Sequence, residues 1–160
     1  MLDKAVGYVH IGLSVVVASY FLWSGLFKDL DKYFVIYFCL LNISWVLFND
    51  ECLISYFHKI HTDGSYKMGE NKSVSDYDLV LGEEHSAVFV NLLLFMYLIN
   101  MCVILYFAVN KMPSLAVILS YMMYIASLRL DVGPKWSKFI RSAHMLVNGL
   151  VVAFLLYKRK

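Results

Sequence analysis

Charge is scarce in this sequence. Of its 160 residues, 16% are charged, against roughly 25% in a soluble domain. Proline occurs twice, at Pro113 and Pro134, each between apolar runs, so nothing breaks those runs from within. No run of six like charges exists and the net charge is +2, too small to suggest a nucleic-acid partner. The three cysteines, Cys39, Cys52 and Cys102, are an odd set without framework spacing, which argues against a disulfide scaffold. All lie in or beside apolar runs and read as small buried hydrophobes. Nucleophile-elbow, phosphate-loop, zinc-protease and potassium-filter motifs are absent, as are internal repeats and low-complexity tracts.

Apolar residues are what the chain has in excess. They make up 61% of it and the mean hydropathy is +0.65, where a soluble domain holds roughly 45–50%. That surface needs lipid as its solvent. Five runs, at residues 5–27, 33–57, 86–109, 114–130 and 139–157, approach or exceed the roughly 20 residues that cross a hydrocarbon core. Backbone groups in lipid must bond within their own segment, so each run is expected to be a helix. The expected architecture is all-α, a single integral membrane bundle over residues 1–160, with about five transmembrane helices. The linkers at residues 28–32 and 111–114 are tight, and Asp131 to Pro134 is a strong breaker. Trp136 between Lys135 and Lys138 suits an interfacial anchor. Cleavage of the first run after Ala18 is the alternative to a first span, but the run continues to Phe27, which is long for a signal. Lysine and arginine divide eight to six between the two sides, with Lys158, Arg159 and Lys160 at the C-terminal end, so neither orientation is favoured.

One polar loop, residues 58–84, carries three lysines against six carboxylates. It is expected to be exposed, with no core of its own. His58, His61 and His85 beside Glu83 and Glu84 offer donor chemistry for zinc. Their spacing is unspecific, and solvated loop histidines are the plainer reading. Asp76 and Asp78 followed by Gly82 do not make a calcium loop, because the glycine comes late and the closing glutamate is missing. No metal and no cofactor is expected.

The second run is interrupted by Asn49, Asp50 and Glu51. A continuous helix over residues 33–57 would be about 37 Å long, with Glu51 about 9 Å from its end. An intramembrane carboxylate is costly and points to function; alternatively the boundary falls near Phe48 and Glu51 is wet. His10, Asn91, Arg141 and His144 lie at matching depth on other runs, so Glu51 is expected to meet Arg141, His144 or His10 in a polar cluster. Asn42, Asn100 and Asn148 lie nearer the centres of three runs and suit interhelical hydrogen bonds.

Trp45, Glu51-Cys52, Ser55-Tyr56, Tyr66, Gly69 and the acidic pair Asp76 and Asp78 resemble a stretch of uncharacterised multi-span membrane proteins of giant DNA viruses. The resemblance covers residues 45–78 alone. It implies a viral or viral-like membrane component and brings no activity with it.

The function read from these features is a non-enzymatic, multi-pass membrane protein with a structural or interaction role. Its partners are the lipid bilayer and a second copy or other membrane proteins. A small oligomeric channel or transporter is the alternative, and requires the central asparagines and Glu51 to face one wet path. A membrane-embedded enzyme is the third reading, and requires acids or histidines to converge with a defined geometry. No catalytic residue is named at this level.

Overall fold

The computed structural model describes residues 2–24, 28–71, 73–107, 111–130 and 132–157. Among them the chain forms seven α-helices and no strand: α1 (Leu2–Ala18), α2 (Lys28–Leu47), α3 (Leu53–Thr62), α4 (Ser75–Leu81), α5 (Glu83–Phe107), α6 (Lys111–Arg129) and α7 (Gly133–Tyr157). A short 3₁₀ turn, Ser19–Leu22, extends α1. Five apolar stretches are long enough to cross a membrane: Lys4–Leu22, Leu30–Leu47, Glu83–Tyr106, Lys111–Arg129 and Gly133–Tyr157. The expected run ends at Phe27 and Val109, Lys72 of the polar loop, the breaker residue Asp131 and the cationic Lys158-Arg159-Lys160 end lie outside the described residues.

The distribution of side chains is inverted relative to a protein in water. Asn42, Asn100 and Asn148 are wholly buried, while Val88, Phe95 and Leu146 on the same long helices are exposed. Water rewards the reverse arrangement, so these exposed apolar faces suit lipid.

The second expected helix is corrected. Residues 33–57 do not form one span: α2 stops at Leu47, and α3 begins afresh at Leu53. Asn49 (φ 56°) and Asp50 (φ 69°) both adopt the left-handed conformation. Asparagine and aspartate tolerate it better than other non-glycine residues, and it ends a helix by turning the chain off its axis. Glu51 N–H closes the turn onto the Phe48 carbonyl at 3.1 Å.

Contacts divide the chain into two compact units. The first comprises Met1–Leu22 and Leu47–Asn100, the second Trp23–Val46 and Met101–Lys160. In the first unit α4 lies along α1 and touches α3. Gly7 makes that approach possible, because a Cβ there would overlap the Asp76 carbonyl and stand 2.7 Å from Val80 Cγ2. The face of α1 turned inward is Gly7, His10, Ser14 and Ala18, small or polar at helical spacing. Asn100 Nδ2 donates to the Ala18 carbonyl at 2.8 Å.

The second unit is held by α6 packed along α7. Tyr124 stacks on His144 with centroids 4.6 Å apart, and Phe38 of α2 meets Tyr121 edge-on at 5.1 Å. Asn42 Nδ2 donates to Asn148 Oδ1 at 3.1 Å, and Asn148 Nδ2 donates to the His144 carbonyl at 2.7 Å.

The polar segment 58–84 also departs from expectation. It forms the end of α3 and all of α4, and Asp76 and Tyr77 are buried against the first unit. Its acidic residues do not all stay in water, because α1 offers Asp76 a histidine.

Candidate functional site

Three elements of the first unit bring a thiol, an imidazole and a carboxylate into line. His10 projects from the inward face of α1. Its Nδ1–H donates to Asp76 Oδ2 of α4 at 2.5 Å. The carboxylate fixes the tautomer, leaving Nε2 as the basic nitrogen. Nε2 faces Cys52 Sγ at 3.4 Å. The second oxygen of Asp76 accepts from Ser55 Oγ of α3 at 2.5 Å. Tyr77, next to Asp76, packs its ring 4.6 Å from His10 and shares a 2.5 Å hydrogen bond with Ser14. The carboxylate is therefore held on both oxygens, and the imidazole on both nitrogens and one face.

Cys52 is the N-cap residue of α3, in extended conformation (φ −69°, ψ 132°), and is half-buried. Burial pushes its thiol up. His10, with the first-turn N–H groups of Ser55 and Ile54, outweighs burial, so the thiol titrates below its ordinary value of 9.0. Burial likewise raises Asp76, and the bonds from His10 and Ser55 reverse it, holding the carboxyl below its ordinary 3.8. Asp76 and Cys52 occupy opposite nitrogens of one imidazole, the arrangement of a nucleophile, its base and the group that orients the base. They do not converge on a point, and among the described residues no three His, Cys, Asp or Glu side chains make a metal ligand set.

Beside this line lies a second network. Glu51 is buried, and Oε1 accepts from Lys59 Nζ at 3.0 Å and from Tyr66 Oη; Oε2 accepts from Gly69 N–H at 3.1 Å. Lys59 also donates to the Asn71 carbonyl and lies 5.2 Å from the Tyr66 ring centroid. Burial raises the Glu51 carboxyl, and the bonds from Tyr66, Lys59 and Gly69 bring it below its ordinary 4.5. Gly69 has φ +84°, and a Cβ there would collide with Asn49. Glycine at this position allows its amide to reach the carboxylate.

The expected polar cluster is corrected accordingly. The partner of Glu51 is Lys59, in place of Arg141, His144 or His10. The helix ends at Leu47, before Glu51, so depth matched along a continuous helix no longer applies. His10 meets Asp76. Asn91 is exposed and donates to the Ala87 carbonyl one turn back. Arg141 donates to the Val46 carbonyl at 3.3 Å and lines an open groove of about 360 Å³ with Lys138, Ser137 and Ser142. His144 is buried against Tyr124. Reading the cysteines as one class is corrected too: Cys39 is buried and Cys102 exposed, while Cys52 carries a hydrogen-bonded thiol. Sequence reasoning missed Asp76, which looks like the other acids of its segment until the short helix α4 docks it on α1.

No known protein family, curated protein or solved structure matches the chain. The fold and the exposed apolar helices define the class, an all-α protein of the membrane type.

Proposed function

We propose that this is a multi-pass membrane protein with a thiol nucleophile at one membrane boundary, working in acyl transfer or acyl hydrolysis. The observation that carries the reading is the Cys52–His10–Asp76 line. Cys52 sits five residues past the end of the Leu30–Leu47 stretch and is half-buried. His10 Nε2 takes the proton of the Cys52 thiol while sulfur attacks an acyl carbonyl carbon. The C–O or C–S bond to the leaving group breaks, and the leaving group collects the proton from His10. Water or an acceptor nucleophile, deprotonated by the same nitrogen, then attacks the Cys52 thioester; its C–S bond breaks, the acyl group leaves, and sulfur takes the proton back from His10. Asp76 orients the imidazole and stabilises its charged form throughout. Cys52 is the only cysteine of its unit, so disulfide exchange has no resolving thiol there and acyl chemistry is favoured.

The purified protein tests this with p-nitrophenyl acetate, read by intact mass. The expected product is one acetyl group on Cys52, removed by hydroxylamine and lost in Cys52→Ser. Acetylation no faster than that of Cys102, or unchanged by His10→Asn, would sink the reading.

A structural role is the second reading, and one observation favours it: the same bonds tie α1, α3 and α4 together whatever their chemistry. It predicts an inert Cys52 with intact stability in Cys52→Ser.

A further inference from the structure

α3 is amphipathic in the wrong sense for water. At 100° per residue, Leu53, Phe57 and Ile60 share one side, with Ile54 and Tyr56 flanking it. Leu53 is 36% exposed, Ile54 38%, Phe57 58% and Ile60 37%. The opposite side carries Ser55 and Lys59, which are 1% and 7% exposed and belong to the two polar networks. The helix thus turns its hydroxyl and ammonium inward and its aliphatic and aromatic side chains outward. His61 is the one polar side chain within the outward arc, near its C-terminal end.

A bilayer surface is the environment that rewards this pattern. α3 follows a membrane-length helix after only five residues, a connection too short to carry it far from the membrane boundary. A helix lying there buries its apolar face to about 5–10 Å, into the headgroup and acyl boundary.

We propose that α3 rests in the membrane interface on Leu53, Phe57 and Ile60, and that the acyl donor of Cys52 is a lipid-borne ester or thioester drawn from the bilayer. The second half rests on the thiol reading above; the first half stands on the face of α3 alone. Cys52 caps the N-terminus of this helix. Its sulfur is therefore held at the depth where the carbonyl of a membrane-borne acyl ester lies, and the acyl chain never has to leave lipid.

Two measurements separate the halves. The first places a tryptophan on the face, Phe57→Trp, with Trp23, Trp45 and Trp136 changed to Phe, in vesicles containing brominated phosphatidylcholine. Strong quenching is expected; emission unaffected by bromine would mean that water or another protein covers the face, and would overturn the interfacial placement. The second compares p-nitrophenyl palmitate carried in phosphatidylcholine vesicles with soluble p-nitrophenyl acetate. Phe57→Asp, at an exposed site, should slow release from the palmitate on the order of tenfold, as loss of one interfacial aromatic implies, and leave the acetate reaction within about twofold. Equal slowing of both esters, or of neither, would overturn the lipid-borne donor. Failure of both esters in the unmodified protein would remove the thiol reading itself, while the quenching result still decides where α3 lies.

Discussion

The two units handle buried polarity in opposite ways. The second uses neutral amides: Asn42, Asn148 and the His144 carbonyl form a chain of ordinary hydrogen bonds between α2 and α7. Such contacts in membrane proteins contribute about 0.6–2 kcal/mol each and tolerate replacement. The first unit buries ionisable groups, Glu51 with Lys59 and Asp76 with His10, and holds each from several sides. Burying charge is expensive unless it is paired and hydrogen-bonded. A protein that needed only cohesion has a cheaper example in its own second half. On the acyl-transfer reading, the first unit is the chemical part and the second its scaffold.

Four measurements would break or sharpen that contrast. The largest effect is expected from His10→Asn, which removes the base while keeping a polar side chain. Acylation of Cys52 should fall by about 10²–10⁴, the usual contribution of a positioned base. Asn148→Ala, in the second unit, should leave that rate within about twofold. Equal losses in both variants would erase the division of labour.

Glu51→Gln comes next, read by thermal and denaturant unfolding in detergent. Removing one partner of a buried pair costs about 3–5 kcal/mol. The lower end is expected here, because the loop residues around Lys59 and Tyr66 are largely open to water. The unmodified protein should show the same loss with pH. Its bonds hold the folded Glu51 carboxyl below the ordinary 4.5, so the contribution is complete above that value and drains away as pH falls below it. A melting temperature flat through that window would show that the pair adds nothing.

Gly7→Ala should cost about 1–3 kcal/mol, as overpacking does. It should also slow Cys52 acylation, because its Cβ displaces α4 and with it Asp76. Gly12→Ala, where a Cβ meets nothing within 4 Å, is the control. The smallest effect is expected from Asn42→Ala, about 1 kcal/mol of stability and no change in thiol reactivity.

Much of the fold was legible in the sequence and most of the site was not. The five apolar helices follow from run length and the backbone's need to satisfy itself in lipid. Asn49 and Asp50 carried the helix stop in plain view. The apolar residues from Cys52 to Phe57 resembled a continuation of the run because α3 keeps an apolar outer face. The thiol line draws on residues 10, 52 and 76, which belong to three elements. Nothing in local spacing links them. Only the docking of α4 on Gly7 does so, and that contact depends on a missing side chain. Asp76 looked like one of six loop acids, and its burial is set by a histidine in the first helix.

The 66-residue separation of His10 and Asp76 has a consequence for how the protein is made. Chains emerge at about 5–20 residues per second. His10 is therefore synthesised some 3–13 seconds before the aspartate that orients it. Through that interval Cys52, when it arrives, meets an imidazole free to hold its proton on either nitrogen. The hydrogen bond that fixes the tautomer forms only when α4 closes onto α1, after the helices on either side of Cys52 have been laid down.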